Sequence, residues 1–234
     1  MSHHGLFAPE LFPAHASYCY VITEKSPPQP SLENYLDLHP LEQALVSHAV
    51  AKRKAEFGDA RWCAHTALAD LGGPGDPILR GERGMPLWPT GYTGSITHTD
   101  GLRAAVAVES SRAVSVGLDA EPNEPLGDDV LGAIARPGEI SRLDRLRAAG
   151  VANPDRLLFC AKEATYKAWF PLTRRFLEFD QAEIDLRADG TFLSYLLVRP
   201  TPVPFIEGRW EEAEGFVVAT TAVRRIVSRR YLHA

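Results

Sequence analysis

Asp119 and Glu121 stand two residues apart in Val114-Ser115-Val116-Gly117-Leu118-Asp119-Ala120-Glu121, a segment of alternating character. On a strand, residues i and i+2 project from one face. Two carboxylates held that close repel each other and favour a cation between them, and hard oxygen ligands suit magnesium. Val114, Val116, Leu118 and Ala120 make the opposite face apolar, so burial can anchor the strand while it presents its acids. Taken alone, an Asp-x-Glu pair is more often an ordinary solvated strand end.

A third acid, Glu163, lies in Phe159-Cys160-Ala161-Lys162-Glu163-Ala164-Thr165-Tyr166-Lys167-Ala168-Trp169. Glu163 and Lys167 are i,i+4 on a helix, and Lys162 points about 100° away. As a plain surface pair they would contribute only about 0.2–0.5 kcal/mol. Phe159, Tyr166, Trp169 and Phe170 spread around the helix, however, so it cannot be mainly exposed. Charges embedded there need partners such as a metal or a phosphate. Two further pieces suit an anion. Gly94-Ser95-Ile96-Thr97-His98-Thr99 offers small residues, hydroxyls and an imidazole. Arg53 and Arg61 flank a candidate helix break and Arg83 sits in a Gly/Pro loop, and arginine forks match phosphates. Singly, such a histidine reads as structural and each arginine as a surface residue.

These side chains need elements to hold them. Residues 17–23 (SYCYVIT) read as a strand. Leu41 to about Phe57 has helical periodicity, Gly58 breaks it, and Asp59 can cap a second helix to about Leu71. The stretch 72–94 is dense in Gly and Pro and reads as an ordered loop. Residues 95–99 and 103–109 form a hairpin about Asp100-Gly101, and 113–121 is the acid-bearing strand, ended by Pro122. Short helices follow near 126–135 and 138–149. Asn153-Pro154 caps and opens a helix to about Phe170, before Pro171. Residues 176–186, 191–199, 203–210 and 215–223 read as consecutive antiparallel strands. The order of elements hints at two similar halves meeting near residue 110.

Composition narrows the class. The 234 residues carry 45% hydrophobic and 24% charged side chains, ordinary for a globular chain with a sizeable core. The mild net charge of -5 argues neither for a polyanion binder nor for a disordered acidic chain, and no nucleic-acid partner is expected. Basic residues nevertheless crowd the end, at Arg224, Arg225, Arg229 and Arg230. Cys19, Cys63 and Cys160 are scattered, which fits reduced thiols and a cytoplasmic location. No membrane span or secretion signal is expected.

Together and in this order, the pieces resemble the 4′-phosphopantetheinyl transferases. The closer resemblance is to the monomeric, two-halved type that activates nonribosomal peptide and polyketide synthases, in its enterobactin-synthase-like branch. It runs from about Lys52 to Trp169. Arg53-Lys54-Ala55-Glu56-Phe57 with Arg61 is similar to R-x-x-E-F-x-x-G-R, with Ala60 in place of a glycine. Gly81 to Pro89 is similar to G-x-x-G-x-P-x-W-P, and Gly94 to His98 to G-S-x-S-H with Thr97 for serine. Val116 to Glu121 is similar to V-G-V-D-x-E, with Leu118 for a β-branched residue, and Phe159 to Lys167 to F-S-x-K-E-A-x-Y-K, with Cys160 for serine.

The resemblance implies an α+β fold of two similar α/β halves related by a pseudo-twofold. Residues 1–110 would carry the coenzyme A nucleotide and phosphate contacts, and 111–234 the metal ligands and catalytic helix. The implied reaction moves phosphopantetheine from coenzyme A to a serine of an apo acyl, peptidyl or aryl carrier protein, releasing 3′,5′-ADP. It implies Mg2+, with Mn2+ as a substitute, on Asp119, Glu121 and Glu163. Lys162, Lys167, Thr97 and His98 would meet phosphates, with His98, Arg53 and Arg61 nearer the 3′-phosphoadenosine. Arg83, Gly84, Met85 and Pro86 would frame the adenine. Glu163, Lys167 and Asp119 would be the catalytic set, Glu163 doubling as general base. Two other classes stay open: a different magnesium-dependent phosphoryl-transfer enzyme, and a coenzyme A- or carrier-binding protein without turnover.

Overall fold

The structure is a computed structural model and describes residues 7–25 and 27–224. In the first half, β1 (Ser17–Ile22), β4 (Tyr92–Thr99) and β5 (Leu102–Glu109) make an antiparallel sheet of order β1-β5-β4. Asp100-Gly101 turns β4 into β5, with Thr99 paired to Leu102 and Gly101 at φ +90°. That left-handed backbone is where glycine is favoured. The helix α3 (Ala51–Asp70) packs on this sheet after two short helices, α1 (Glu33–Leu36) and α2 (Pro40–Ala44).

The expected helix break at Gly58 does not exist: α3 runs through it for 20 residues. A Cβ on Gly58 would lie 2.5 Å from the Tyr35 backbone nitrogen. Glycine is therefore there for the close approach of α1. Asp59, rather than capping a helix, accepts from Asn34 Nδ2 at 2.8 Å. The Gly/Pro stretch is not wholly a loop either. Leu79–Arg80 (β2) pairs with Pro86–Leu87 (β3).

In the second half, β6 (Ala113–Pro122), β7 (Ala182–Leu186), β8 (Thr191–Leu196), β9 (Phe205–Ala213) and β10 (Phe216–Arg224) form a sheet of order β6-β10-β9-β8-β7. β7 begins later than expected, because residues 179–181 form a 3-10 turn closed by a Glu178–Gln181 capping box. The helices α4 (Asp128–Ile134) and α5 (Pro137–Ala148) fall where the sequence suggests. The long helix α6 (Pro154–Thr173) does not stop before Pro171 but carries it in its last turn. Only the hydrogen bond to the carbonyl four residues back is lost that near the end. Asn153 makes no side-chain cap; its Nδ2 ties the helix start to the Asn123 carbonyl at 2.9 Å.

Each half is thus an antiparallel sheet bearing one 20-residue helix. The apolar face of β6 (Val116, Leu118, Ala120) packs with Leu102, Ala104, Val106 and Val108 of β5, joining the halves through one core. The basic C-terminal cluster beyond Arg224 lies outside the described residues. Among those described, no helix is long and apolar enough to cross a membrane.

Candidate active site

The edge strands β4 and β6 of the two sheets face each other, with α3 on one side and α6 on the other. Asp119 sits in this seam, 5% exposed. Its Oδ1 accepts from Thr97 Oγ1 of β4 at 3.1 Å and from Lys167 Nζ of α6 at 2.7 Å. Its Oδ2 is buried with no hydrogen-bond partner among the described residues. A carboxylate oxygen withdrawn from water and left open is costly unless something occupies it.

The position of α6 follows from small residues on β6. A Cβ on Gly117 would meet the Ala164 carbonyl oxygen at 1.8 Å, so the helix backbone rests directly on the strand. Ser115 Oγ donates to the Ala168 carbonyl at 2.7 Å and Thr221 Oγ1 to the Ala164 carbonyl at 3.0 Å. Lys167 Nζ also donates to the Leu118 carbonyl at 3.0 Å. Glu163 and Lys167 are thereby brought beside Asp119. Burial, reinforced by the Asp119 charge and opposed by Arg156 and Lys167, pushes Glu121 up to about 7. Burial and then Asp119 raise Glu163 as well, against Lys167. The three acids therefore share one electrostatic site.

Their chemistry fits a hard divalent cation. Three carboxylates repel one another, two of them hold protons above the usual range, and Asp119 Oδ2 is open. They are not converged into a ready-made cage: among the described residues no three His, Cys, Asp or Glu side chains are so arranged. Protein cations occupy two of the acids instead, Lys167 on Asp119 at 2.7 Å and Arg156 on Glu121 at 3.2 Å.

Successive residues of β4 point to opposite faces, so Thr97 turns to Asp119 while His98 turns to α3. Arg53 Nη1 lies 2.8 Å from His98 Nε2 and 3.4 Å from Glu56. His98 keeps an open side, yet desolvation by the cleft walls, followed by the Arg53 charge, pulls it down to about 4. It is neutral at pH 7 and takes the Arg53 proton on Nε2. Arg83, at φ 50° in the Gly/Pro loop, lies 5.3 Å over the Phe176 ring, and Arg174 donates to Met85 Sδ. Gly84 follows Arg83, and Pro86 pairs with Arg80 in the β2–β3 hairpin. This loop therefore reaches from the first half to the end of α6.

Four expectations need correction. Lys162 faces away from the seam. All three of its ammonium protons are taken, by the Phe179 carbonyl at 2.7 Å, the Ala182 carbonyl at 2.9 Å and Glu139 at 3.0 Å. It is not free for a phosphate. Thr97 spends its hydroxyl on Asp119 rather than on a ligand. Gly94 does not open the backbone to a ligand; its missing side chain makes room for the Trp88 ring and the Val106 carbonyl. Arg61 is not a surface arginine flanking a helix break: it is buried within α3, with Nε 3.6 Å from Glu42 and its guanidinium 4.8 Å over Phe57. Arg156, Glu42 and Glu139 are not marked out by motif in the sequence, yet each pairs with an oppositely charged side chain in the fold. Arg156 alone had a signal: it is i,i+7 from Glu163 and so shares its helix face.

The second half, residues 115–221, matches a model described as the 4′-phosphopantetheinyl transferase superfamily. Residues 41–108 match a 4′-phosphopantetheinyl transferase N-terminal domain. The chain is 46% identical over 201 residues to 4′-phosphopantetheinyl transferase Npt of Nocardia iowensis, covering 80% of this chain and 90% of the relative. It is 44% identical over 189 residues to 4′-phosphopantetheinyl transferase PptT of Mycobacterium tuberculosis, covering 76% and 83%. To Enterobactin synthase component D of Salmonella typhi it is 33% identical over 120 residues, 50% of this chain and 49% of the relative.

Proposed function

The chain belongs to the 4′-phosphopantetheinyl transferase superfamily and is a 4′-phosphopantetheinyl transferase, and from that premise we propose that coenzyme A lies in the seam between β4 and β6 and gives its phosphopantetheine to a carrier-protein serine there. The observation that carries this placement is Asp119. It is buried, has one open oxygen, is touched by one residue from each half, and has two acids of raised pKa beside it.

Asp119, Glu121 and Glu163 would hold a magnesium ion, with manganese as a substitute. When bound, such an ion neutralises charge on the pyrophosphate and orients the β-phosphate. The chain's own residues do the rest. Lys167 is held 2.7 Å from Asp119, at the edge of the site, where its ammonium offsets the charge of the leaving 3′,5′-ADP. Neutral His98 accepts from Arg53 on Nε2 and so keeps Nδ1–H for a phosphate oxygen. Arg53 and Arg61 serve the 3′-phosphoadenosine, and Arg83, Gly84, Met85 and Pro86 frame the adenine. Glu163, its pKa raised by burial, takes the serine proton directly or through a water. The serine oxygen then bonds to the β-phosphorus, and the bond from that phosphorus to the bridging oxygen breaks.

The division at residue 110 into a nucleotide-binding half and a metal-binding half belongs to this proposal. So does a monomeric state, since both walls of the seam come from one chain. A cytoplasmic location accords with three free buried cysteines. The enterobactin-synthase-like branch rests on the motifs from Lys52 to Trp169. Over most of its length the chain is more similar to Npt and PptT than to Enterobactin synthase component D. The acceptor is an acyl, peptidyl or aryl carrier of the kind used in nonribosomal peptide, polyketide or siderophore synthesis.

Incubating the protein with coenzyme A, magnesium and a panel of apo carriers, and weighing each carrier, tests the assignment. A gain of one phosphopantetheine group is expected, and D119A is expected to abolish it in a folded protein. Full activity in D119A would refute the site.

A further inference from the structure

Glu42 on α2 is completely buried, at 0% exposure. A carboxylate withdrawn from water needs partners. Three converge on it from separate parts of the first half. Arg61 Nε of α3 is 3.6 Å from Oε1. His65, one turn further along the same face of α3, places Nε2 3.0 Å from both oxygens. The Ile78 backbone N–H, within the Gly/Pro stretch and just before β2, donates to Oε1 at 3.2 Å. One anion therefore pins α3 to the segment that runs into β2.

What it pins has a common character. The Arg61 guanidinium lies 4.8 Å over the Phe57 ring, and the Arg80 guanidinium lies 5.1 Å over the same ring. The Arg53 charge acts on both, beside His98. Three guanidinium groups gathered at one end of the seam repel each other, and arginine side chains have rotamers that would carry them apart. Burial and the two neighbouring cations draw the Arg61 pKa down to about 10, and Glu42 is the group that opposes them.

We infer that Glu42 is a positioning residue for coenzyme A: it fixes the Arg61 guanidinium, and through Ile78 the Arg80 side chain two residues on, where they receive a phosphate of the nucleotide. The inference rests on Arg61 being a coenzyme A ligand, as proposed above. A merely structural Glu42 would lower stability without separating coenzyme A binding from turnover.

The experiment compares E42Q, E42D, H65Q and R61M in the full chain, reading kcat, the KM for coenzyme A and the thermal midpoint. E42Q keeps the shape and removes the charge. It should raise the KM about tenfold, equivalent to 1.4 kcal/mol, with kcat within about twofold. E42D keeps the charge on a shorter stem and should fold even where E42Q does not, with a KM rise of about threefold. H65Q removes a different partner from Glu42 and leaves Arg61 braced, so its KM should stay within about twofold whatever its midpoint. If R61M leaves the KM unchanged, Arg61 is not a ligand and the underlying reading fails. If R61M raises the KM while E42Q and E42D do not, or if H65Q raises it as much as they do, the role given to Glu42 is wrong.

Discussion

The placement of α6 on β6 yields a sharp test at Gly117. Its absent Cβ would lie 1.8 Å from the Ala164 carbonyl oxygen and 2.7 Å from Thr221 Oγ1. The Thr221 hydroxyl can turn, but the carbonyl belongs to the helix backbone. An ordinary contact begins near 3.4 Å, so G117A requires α6 to retreat by about 1.6 Å. Glu163 flanks Ala164, and Lys167 is one turn on, held 2.7 Å from Asp119. Overpacking of this kind costs about 1–3 kcal/mol, or about 2–12 °C in a chain of this size. Displacing catalytic groups by about 1 Å costs on the order of a hundredfold in rate. The expected result for G117A is a folded protein, somewhat less stable, whose kcat falls by about a hundredfold, measured as carrier mass gain over time. G132A is the control. Gly132 lies in α4 with nothing within 4 Å of a built Cβ, so alanine there should be neutral or stabilise by up to about 1 kcal/mol at full activity. A G117A protein with kcat within about threefold of the parent would refute the claim that direct strand–helix contact sets the site.

Three further outcomes are expected. K162M should leave coenzyme A affinity within about twofold, by calorimetry, while costing about 3–5 kcal/mol of stability, because it strands Glu139 as an uncompensated buried charge; a large loss of affinity at unchanged stability would restore Lys162 as a phosphate ligand. Glu121, raised from 4.5 to about 7 in the metal-free fold, makes a contribution to stability that is full below about 4.5 and lost as pH rises through about 7. A cation must displace that proton, so magnesium affinity by calorimetry should tighten by up to about tenfold per pH unit below 7 and level off above it; a flat profile from pH 6 to 8 would count against Glu121 as a ligand. E163Q keeps the shape of the side chain but removes its basicity, and should lower kcat by about a hundredfold or more with the coenzyme A KM little changed; equal losses in both would make Glu163 chiefly a binding residue.

Most of what could be read from the chain followed from local rules. The alternation from Ala113 to Glu121, the Asp100-Gly101 turn and the helical run after Pro154 depend on neighbouring residues, and each appears as an element close to its expected bounds. The order of the motifs carried the family as well. Breaks and caps transferred less well. Gly58 reads as a helix breaker, yet it lies inside α3 because Tyr35, 23 positions earlier, comes too close for a side chain. Asn153 reads as a cap, yet its amide serves Asn123.

The identity of the acids was in the sequence, since two carboxylates on one strand face and one on an amphipathic helix follow from periods of 2 and 3.6. Which partner each cation takes was decided only in three dimensions. Lys162 and Lys167 look alike on the helix, but a rotation of about 140° separates them. That rotation turns one to Glu139 and the other to Asp119. Arg61 faces Glu42, and Arg156 reaches Glu121, for the same reason. A charged side chain takes the partner that folding brings within a few ångströms, and no local rule records which partner that is.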